Sequence, residues 1–261
     1  MTFSVLQLNI NADNYWNNLI PYLTSNDFDI LNLQEVAGNG ATSGNVNSKT
    51  DCYKELQKIL GERYNSDLEI SQTYSSDPVS GYTGNATFYK KEFQLIEKKV
   101  ITMFERTSPF PSDKDSFEDA GRNLLHLLLQ KDNKTFSILN THFAWAKTSV
   151  EEPHQAAQGE ILLDYLKTVQ RPFVFTGDFN LDPQQPTIKS IGAFARNLVT
   201  ENNITNTLNP RTHSAFEKLK RLGIDVAVDF IFVSPDIEVK KFAVVEEDLS
   251  DHLGFTVEVA I

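Results

Sequence analysis

Apolar and β-branched residues fall in short runs along this chain, at 3–10, 28–34, 68–74, 85–90, 94–104, 123–130, 134–141, 172–177, 226–233, 238–245 and 253–260. Runs of that length, punctuated by Gly, Pro, Asn and Asp, predict strands. Apolar residues at three- and four-residue spacing predict helices over 14–24, 51–63, 153–169 and 186–199. In the third, Ile161, Leu162, Tyr165 and Leu166 form the expected stripe, and Pro153 stands near the start, where a missing N–H costs little. The runs 94–104, 123–130 and 134–141 follow one another as hairpins, and D-N-K at 132–134 suits a tight turn. Many hairpin strands with interspersed helices predict mixed sheets rather than a parallel barrel. Helices flanking two stacked sheets give a four-layer α/β sandwich, expected as one domain over 1–261. The irregular stretches 37–50, 75–84, 105–121 and 143–152 are expected to be loops around a site.

Polar residues interrupt this pattern at particular places. R-P-F-V-F runs into T-G-D-F-N, where Gly177 is expected to break the strand and Asp178 and Asn180 follow. On an extended backbone, residues two apart point the same way, so a carboxylate and a carboxamide are presented together. Asn9 ends L-Q-L-N, Glu35 ends L-N-L-Q-E, and His142 ends L-N-T-H. Asp229 lies inside V-A-V-D-F-I-F-V, and Asp251–His252 precede the last strand. Singly, each has an ordinary reading: Asn9 as a turn, Glu35 as a solvated strand end, His142 as a structural histidine, Asp251–His252 as a cap. Asp229, between Val228 and Phe230, calls for a histidine or cationic partner. Jointly, the recurrence of such groups at strand ends points to a ligand or a reaction, because buried polar groups need partners.

Composition narrows the classes. The 261 residues are 40% hydrophobic and 23% charged, which is ordinary globular material rather than a disordered chain. A single cysteine, Cys52, excludes an internal disulfide and a thiolate metal cluster within one chain. The N-terminus lacks the basic segment and small-residue cleavage site of a signal peptide, and no apolar run approaches a membrane span. A cytoplasmic location is expected, and no protein partner is inferred. The net charge of −11 argues against a protein that wraps long nucleic acid; it suits a cation site, although taken by itself it reads first as plain solubility.

The ordered pieces L-N-I, L-Q-E, G-Y-T-G-N-A-T-F, G-R, T-H-F, T-G-D-F-N-L-D-P, V-D-F-I-F-V-S and S-D-H-L-G resemble the endonuclease/exonuclease/phosphatase superfamily of metal-dependent phosphoesterases. The resemblance runs from Val5 to Val259 and implies the same four-layer sandwich. By position it implies that Asn9, Glu35 and Asp251 hold a divalent ion. Asp178 would orient or deprotonate the attacking water, and Asn180 would donate to the phosphoryl oxygen. His252, oriented by Asp229, would contact the phosphate and transfer a proton. His142 and Arg122 would bind phosphate, and Tyr82 would add a hydroxyl. Hard oxygen ligands favour Mg²⁺ or Mn²⁺. The implied activity is phosphodiester hydrolysis on a nucleic acid or nucleotide-like substrate. The alternatives are a phosphomonoesterase or phospholipid-headgroup phosphodiesterase with the same site, or a catalytically silent binding module. Trp145, Phe143 and Tyr82 are candidates to stack a base or sugar. His154 and His213 are expected at the surface, His126 in a structural role, and K-L-K-R at 218–221 on a solvated helix face.

Overall fold

The computed structural model describes residues 1–38, 42–43, 46–74, 81–105, 119–146 and 150–261. The chain begins β1 (Thr2–Asn9), α1 (Trp16–Ser25), β2 (Ile30–Gly38), β3 (Thr42–Ser43), β4 (Val46–Asn47), α2 (Cys52–Leu60), β5 (Tyr64–Thr73) and β6 (Tyr82–Lys90). It continues β7 (Gln94–Phe104), β8 (Arg122–Lys131), β9 (Lys134–His142), α3 (Pro153–Leu166), β10 (Phe173–Asp178) and α4 (Pro186–Gly192). It ends β11 (Arg196–Asn197), α5 (Leu198–Glu201), α6 (Phe216–Arg221), β12 (Asp229–Val233), β13 (Glu238–Val245) and β14 (Gly254–Ala260). Of the expected loops, residues 39–41, 44–45, 75–80, 106–118 and 147–149 lie outside the described residues.

Among the described residues, one six-stranded sheet has the order β13-β14-β1-β2-β6-β5 and a second has β11-β12-β10-β9-β8-β7. Each contains a parallel pair, β1 with β2 and β9 with β10, flanked by antiparallel neighbours. The expected four-layer α/β sandwich of two mixed sheets is what forms. The parallel pairs matter most for function. They bring the C-terminal ends of four strands, with Asn9, Gln34, His142 and Asp178, to one edge of the sandwich.

Between the sheets, the inward positions change character along each strand. Phe3 and Val5 on β1, Ile30 on β2 and Phe136 and Ile138 on β9 belong to an apolar cluster. Phe3 stacks on Phe136 across the gap at a centroid distance of 4.4 Å, with Phe93 edge-on to both. Further along the same faces stand Gln7 and Asn9, Asn32 and Gln34, Asn140 and His142, all buried or nearly so. The outward face of β1–β2 carries Leu6, Leu8, Leu31 and Leu33, packed with Leu19 and Leu23 of α1 and Leu56 and Leu60 of α2.

The turn at Asp132–Asn133 has φ of 52° and 59°, the paired positive values of a two-residue hairpin that joins Lys131 to Lys134. The third helix departs from the expected stripe. Gln155, Gln158, Gly159, Leu162 and Leu166 are its buried residues, and Ile161 is exposed. The expected fourth helix is shorter than 186–199: α4 ends at Gly192, and β11 and α5 occupy residues 196–201. The K-L-K-R segment lies on α6, which buries no residue.

Candidate active site

The register of β10 assembles the centre. Asp178 pairs with His142 of β9 on one side and with Asp229 of β12 on the other. Asp178 ends β10, so Gly177 does not break the strand. A Cβ at Gly177 would meet the Thr141 carbonyl oxygen at 2.4 Å, so glycine here permits the close approach of β9. Asn180 is not extended either. Its φ is 50°, and its backbone N–H donates to Asp178 Oδ1 at 3.0 Å, an Asx-type turn. The two side chains share the site through that turn, not through strand alternation.

Asp178 is buried. Its Oδ2 accepts from Asn9 Nδ2 at 3.0 Å and lies 3.7 Å from His142 Nε2 and 3.8 Å from His252 Nδ1. Burial and then Asp229 push its carboxyl up to about 7, against the opposing pull of His252 and Asn9. The histidines are driven apart. Burial, Arg122 and His252 hold His142 well below the ordinary histidine value. Burial also works against charging His252, but Asp229 and Asp178 outweigh it and raise that imidazole well above the ordinary value. His252 Nδ1 is 2.8 Å from Asp229 Oδ2. Neutral His142 accepts at Nε2 from Asn180 Nδ2 at 3.1 Å, and the same amide donates to the Phe143 carbonyl at 3.1 Å. Helix α3 ties these loops together: Gln155 Nε2 donates to the Ala144 and Asn180 carbonyls, and Gln158 Oε1 accepts from the Ala144 N–H.

Glu35 arrives by a different device. Opposite β6, Leu33 pairs with Ala86 and Val36 with Gly84, so two residues of β2 face one of β6. Glu35 sits in that bulge with φ of 52°, uncommon for a residue with a side chain beyond Cβ. Strict alternation would send it outward with Leu31 and Leu33. The bulge places its carboxylate 4.0 Å from His142 Nε2. Burial and then Asp251 raise its pKa above the ordinary carboxylate value. Glu35, His142 and Asp178 each offer a ligand atom within 4.8 Å of one another, as do Asp178, Asp229 and His252. Crowded oxygen donors whose ionisation is opposed by burial and by each other fit a divalent cation. Asn9 uses its oxygen to accept the Asn11 N–H and its nitrogen to donate to Asp178, so in this arrangement it braces the carboxylate.

Arg122 opens β8 and is buried. Nη1 donates to the Gly121 carbonyl at 3.0 Å, and Nε has no hydrogen-bond partner among the described residues. A buried guanidinium with an unused donor is suited to an anion. Tyr82 is not brought to this cluster. Positions 82, 86 and 88 alternate to the outer face of β6, and the Tyr82 hydroxyl donates to Asp51 Oδ1, at the N-cap of α2, at 2.6 Å. Tyr74 meets the Thr83 hydroxyl at 3.1 Å, and its phenol is raised by burial against the opposing pull of Thr83 and Arg122.

The sequence matches the profile of the Endonuclease/Exonuclease/phosphatase family over residues 6–252. The chain belongs to this family. It is accordingly a hydrolase of phosphoesters with a candidate metal-binding group. No curated protein matches it by sequence. Among solved structures it resembles an endonuclease/exonuclease/phosphatase of Bacteroides vulgatus, 20% identical over 100% of this chain and 99% of that one, with a TM-score of 0.69. A mannosyl-6-phosphatase of Bacteroides thetaiotaomicron is 17% identical over 99% and 100%, with a TM-score of 0.71. The human Nocturnin catalytic domain with bound sulfate is 18% identical over 99% and 93%, with a TM-score of 0.70. At these identities the likeness is one of fold.

Three residues of the family site's surroundings depart from their expected places. His213 is half-buried, with its ring edge-on to His252 at 6.2 Å. It lies in an irregular polar stretch whose sequence carries no signal of this contact. Phe143 is fully buried against Phe179, so it offers no stacking face, whereas Trp145 is 41% exposed. His154 is partly buried and reaches the Trp145 carbonyl with Nε2 at 3.3 Å. No helix among the described residues is long and apolar enough to cross a membrane.

Proposed function

We propose that this chain is a divalent-metal-dependent phosphodiesterase acting on a small or single-stranded nucleotide-like substrate. The observation that carries the reading is one buried carboxylate, Asp178, within 4 Å of two histidines, with burial driving the pKa of His142 down and Asp229 drawing that of His252 up. A phosphodiester needs a base for the attacking water and a proton for the leaving oxygen. Asp178, poised near neutrality, takes the water's proton. Charged His252, backed by Asp229, donates to the leaving oxygen. Arg122 offers Nε to the phosphoryl group. Asn180 donates as charge shifts there, exchanging its bond to His142 for one to substrate while keeping Phe143. Glu35 and Asp251 would hold a divalent ion, with Asn9 bracing Asp178 alongside. When bound, Mg²⁺ or Mn²⁺ supplies charge neutralisation at the phosphate. Trp145 provides an exposed face for a base or sugar, and the net charge of −11 disfavours a long duplex.

Phosphomonoester hydrolysis is the second reading. It is favoured by the fold shared with the mannosyl-6-phosphatase and by a second buried donor beside His252's, the unused Nε of Arg122, for the further charge of a monoester. Turnover of bis-p-nitrophenyl phosphate and p-nitrophenyl phosphate, with and without EDTA, separates the cases. The diester is expected to turn over faster, with loss in EDTA and recovery in Mg²⁺ or Mn²⁺. Full activity in EDTA sinks the metal dependence, and a preference for the monoester selects the second reading.

A further inference from the structure

The hydrogen bonds between the two sheets have a direction, and it can be followed to Asp229. Asn140 Nδ2 donates to two backbone carbonyls, Ala86 at 2.9 Å and Leu33 at 3.2 Å. Carbonyls only accept, so the Asn140 amide cannot be turned round, and its Oδ1 is fixed as an acceptor. Gln34 Nε2 donates to that oxygen at 2.7 Å, which fixes Gln34 Oε1 as the next acceptor. Gln7 Nε2 donates to Gln34 Oε1 at 3.0 Å and, with its second hydrogen, to Asp229 Oδ1 at 3.2 Å. All of these side chains are buried. A second path arrives from the other side. Thr207 Oγ1 accepts from the Val228 and Asp229 backbone N–H groups at 3.0 and 3.2 Å, so its own proton goes to Asp229 Oδ2 at 2.7 Å. Both oxygens of Asp229 thus meet donors whose direction is set by backbone. The remaining partner, His252 Nδ1, must also bring a hydrogen.

Gln7 is costly where it stands. Its Oε1 is buried with no hydrogen-bond partner among the described residues, so its lost hydration is not repaid. Turning the amide round would set that oxygen against two other acceptors, Gln34 Oε1 and Asp229 Oδ1. The arrangement therefore keeps two donated bonds at the expense of one unmet acceptor.

We propose that Gln7 is a positioning residue: through the Asn140–Gln34–Gln7 amide relay it holds Asp229 as an acceptor, and so fixes His252 with hydrogen on Nδ1 and Nε2 left for substrate. The inference rests on the proposed role of His252 for its kinetic consequence, but not for its structural one.

The test uses Gln7→Met, close in length and without donors, and Gln7→Glu, which puts an acceptor where the donor was. The downfield Nδ1–H resonance of His252 is followed by NMR of ¹⁵N-histidine-labelled protein and assigned by its loss in His252→Gln. It is expected to shift or vanish in each folded Gln7 variant, and an unmoved resonance in a folded variant overturns the relay. Kinetically, Gln7→Met is expected to lower kcat by about 10²-fold on a diester with an alkyl leaving group, with KM changed less than about twofold. On bis-p-nitrophenyl phosphate, whose leaving group needs little protonation, the loss shrinks to about threefold or less. Equal losses on both substrates overturn the link from Gln7 to proton donation. If His252→Gln is itself near wild type on the alkyl substrate, the reading of the site has failed, and the resonance alone still decides the relay.

Discussion

The two ends of the inter-sheet layer are built from the same strands and do opposite work. At one end, Phe3, Ile30, Phe136 and Ile138 meet across the gap and bury apolar surface, the main source of stability in a domain of this kind. At the other, two positions further along the same faces, Gln7, Asn32, Gln34, Asn140 and Thr176 meet and bury amides and hydroxyls. Such a layer gains little net free energy, because each bond replaces one to water. What it gains is direction. Apolar contacts tolerate small rotations, whereas a closed set of donors and acceptors fixes where each group points. The difference teaches where this fold spends its stability: the apolar end supplies it, and the polar end uses it to hold Glu35, Asp178, Asp229 and His252 in place.

The contrast can be broken most decisively at its catalytic limit. Asp178→Asn is expected to lower kcat by about 10³-fold with the fold retained, as steady-state rates and circular dichroism would show. Near wild-type turnover would separate chemistry from this end altogether. At the apolar end, Phe136→Ala is expected to cost about 3–5 kcal/mol in urea denaturation, with kcat of the folded fraction changed less than about twofold. A comparable fall in kcat would mean that the two ends are not separable. In the middle, Thr176→Val removes the hydroxyl that accepts from Asn32 Nδ2 at 2.9 Å, and should cost about 1–3 kcal/mol. No loss there would show that the network is not needed for stability.

The smallest effect is one of pH. In EDTA, Asp178 has a folded pKa near 7 against an ordinary value of 3.8, so the folded state holds that proton more tightly. Stability from this group is greatest below about pH 4 and is lost as pH rises toward about 7. Asp178→Asn lacks that loss, so its Tm should exceed wild type by a margin that widens across the window, by roughly a few degrees. A constant margin would place the carboxyl's titration elsewhere.

Much of this was legible in the sequence because it depends on local alternation. The apolar runs became strands, and Asn9, His142, Asp178 and Asp229 stand at strand ends or starts where the pattern broke. What was not legible depends on departures from regular geometry or on contacts between distant segments. Gly177 stays in its strand because its lack of a Cβ serves packing against Thr141, a fact of the neighbouring strand. Tyr82 was expected at the phosphate, yet counting parity from Phe88 along β6 sends it outward to Asp51. His213 meets His252 through a loop that no periodicity describes. The two buried glutamines of α3 carried no signal, because their partners lie on distant site loops: Gln155 donates to the Ala144 and Asn180 carbonyls, and Gln158 accepts the Ala144 N–H.

The bulge at Glu35 has a consequence for how such a site could be lost or gained. Its carboxylate faces His142 because β2 carries one residue more than its partner strand needs. Deleting a single codon between Gln34 and Val36 would restore an even ladder with β6 while leaving every neighbouring contact of β2 with β1 upstream of it in register. The protein would keep a continuous strand and would lose the Glu35 carboxylate from the cluster with His142 and Asp178. A frame-preserving deletion of three nucleotides is thus a short route to a protein of this fold that lacks one carboxylate of the candidate site.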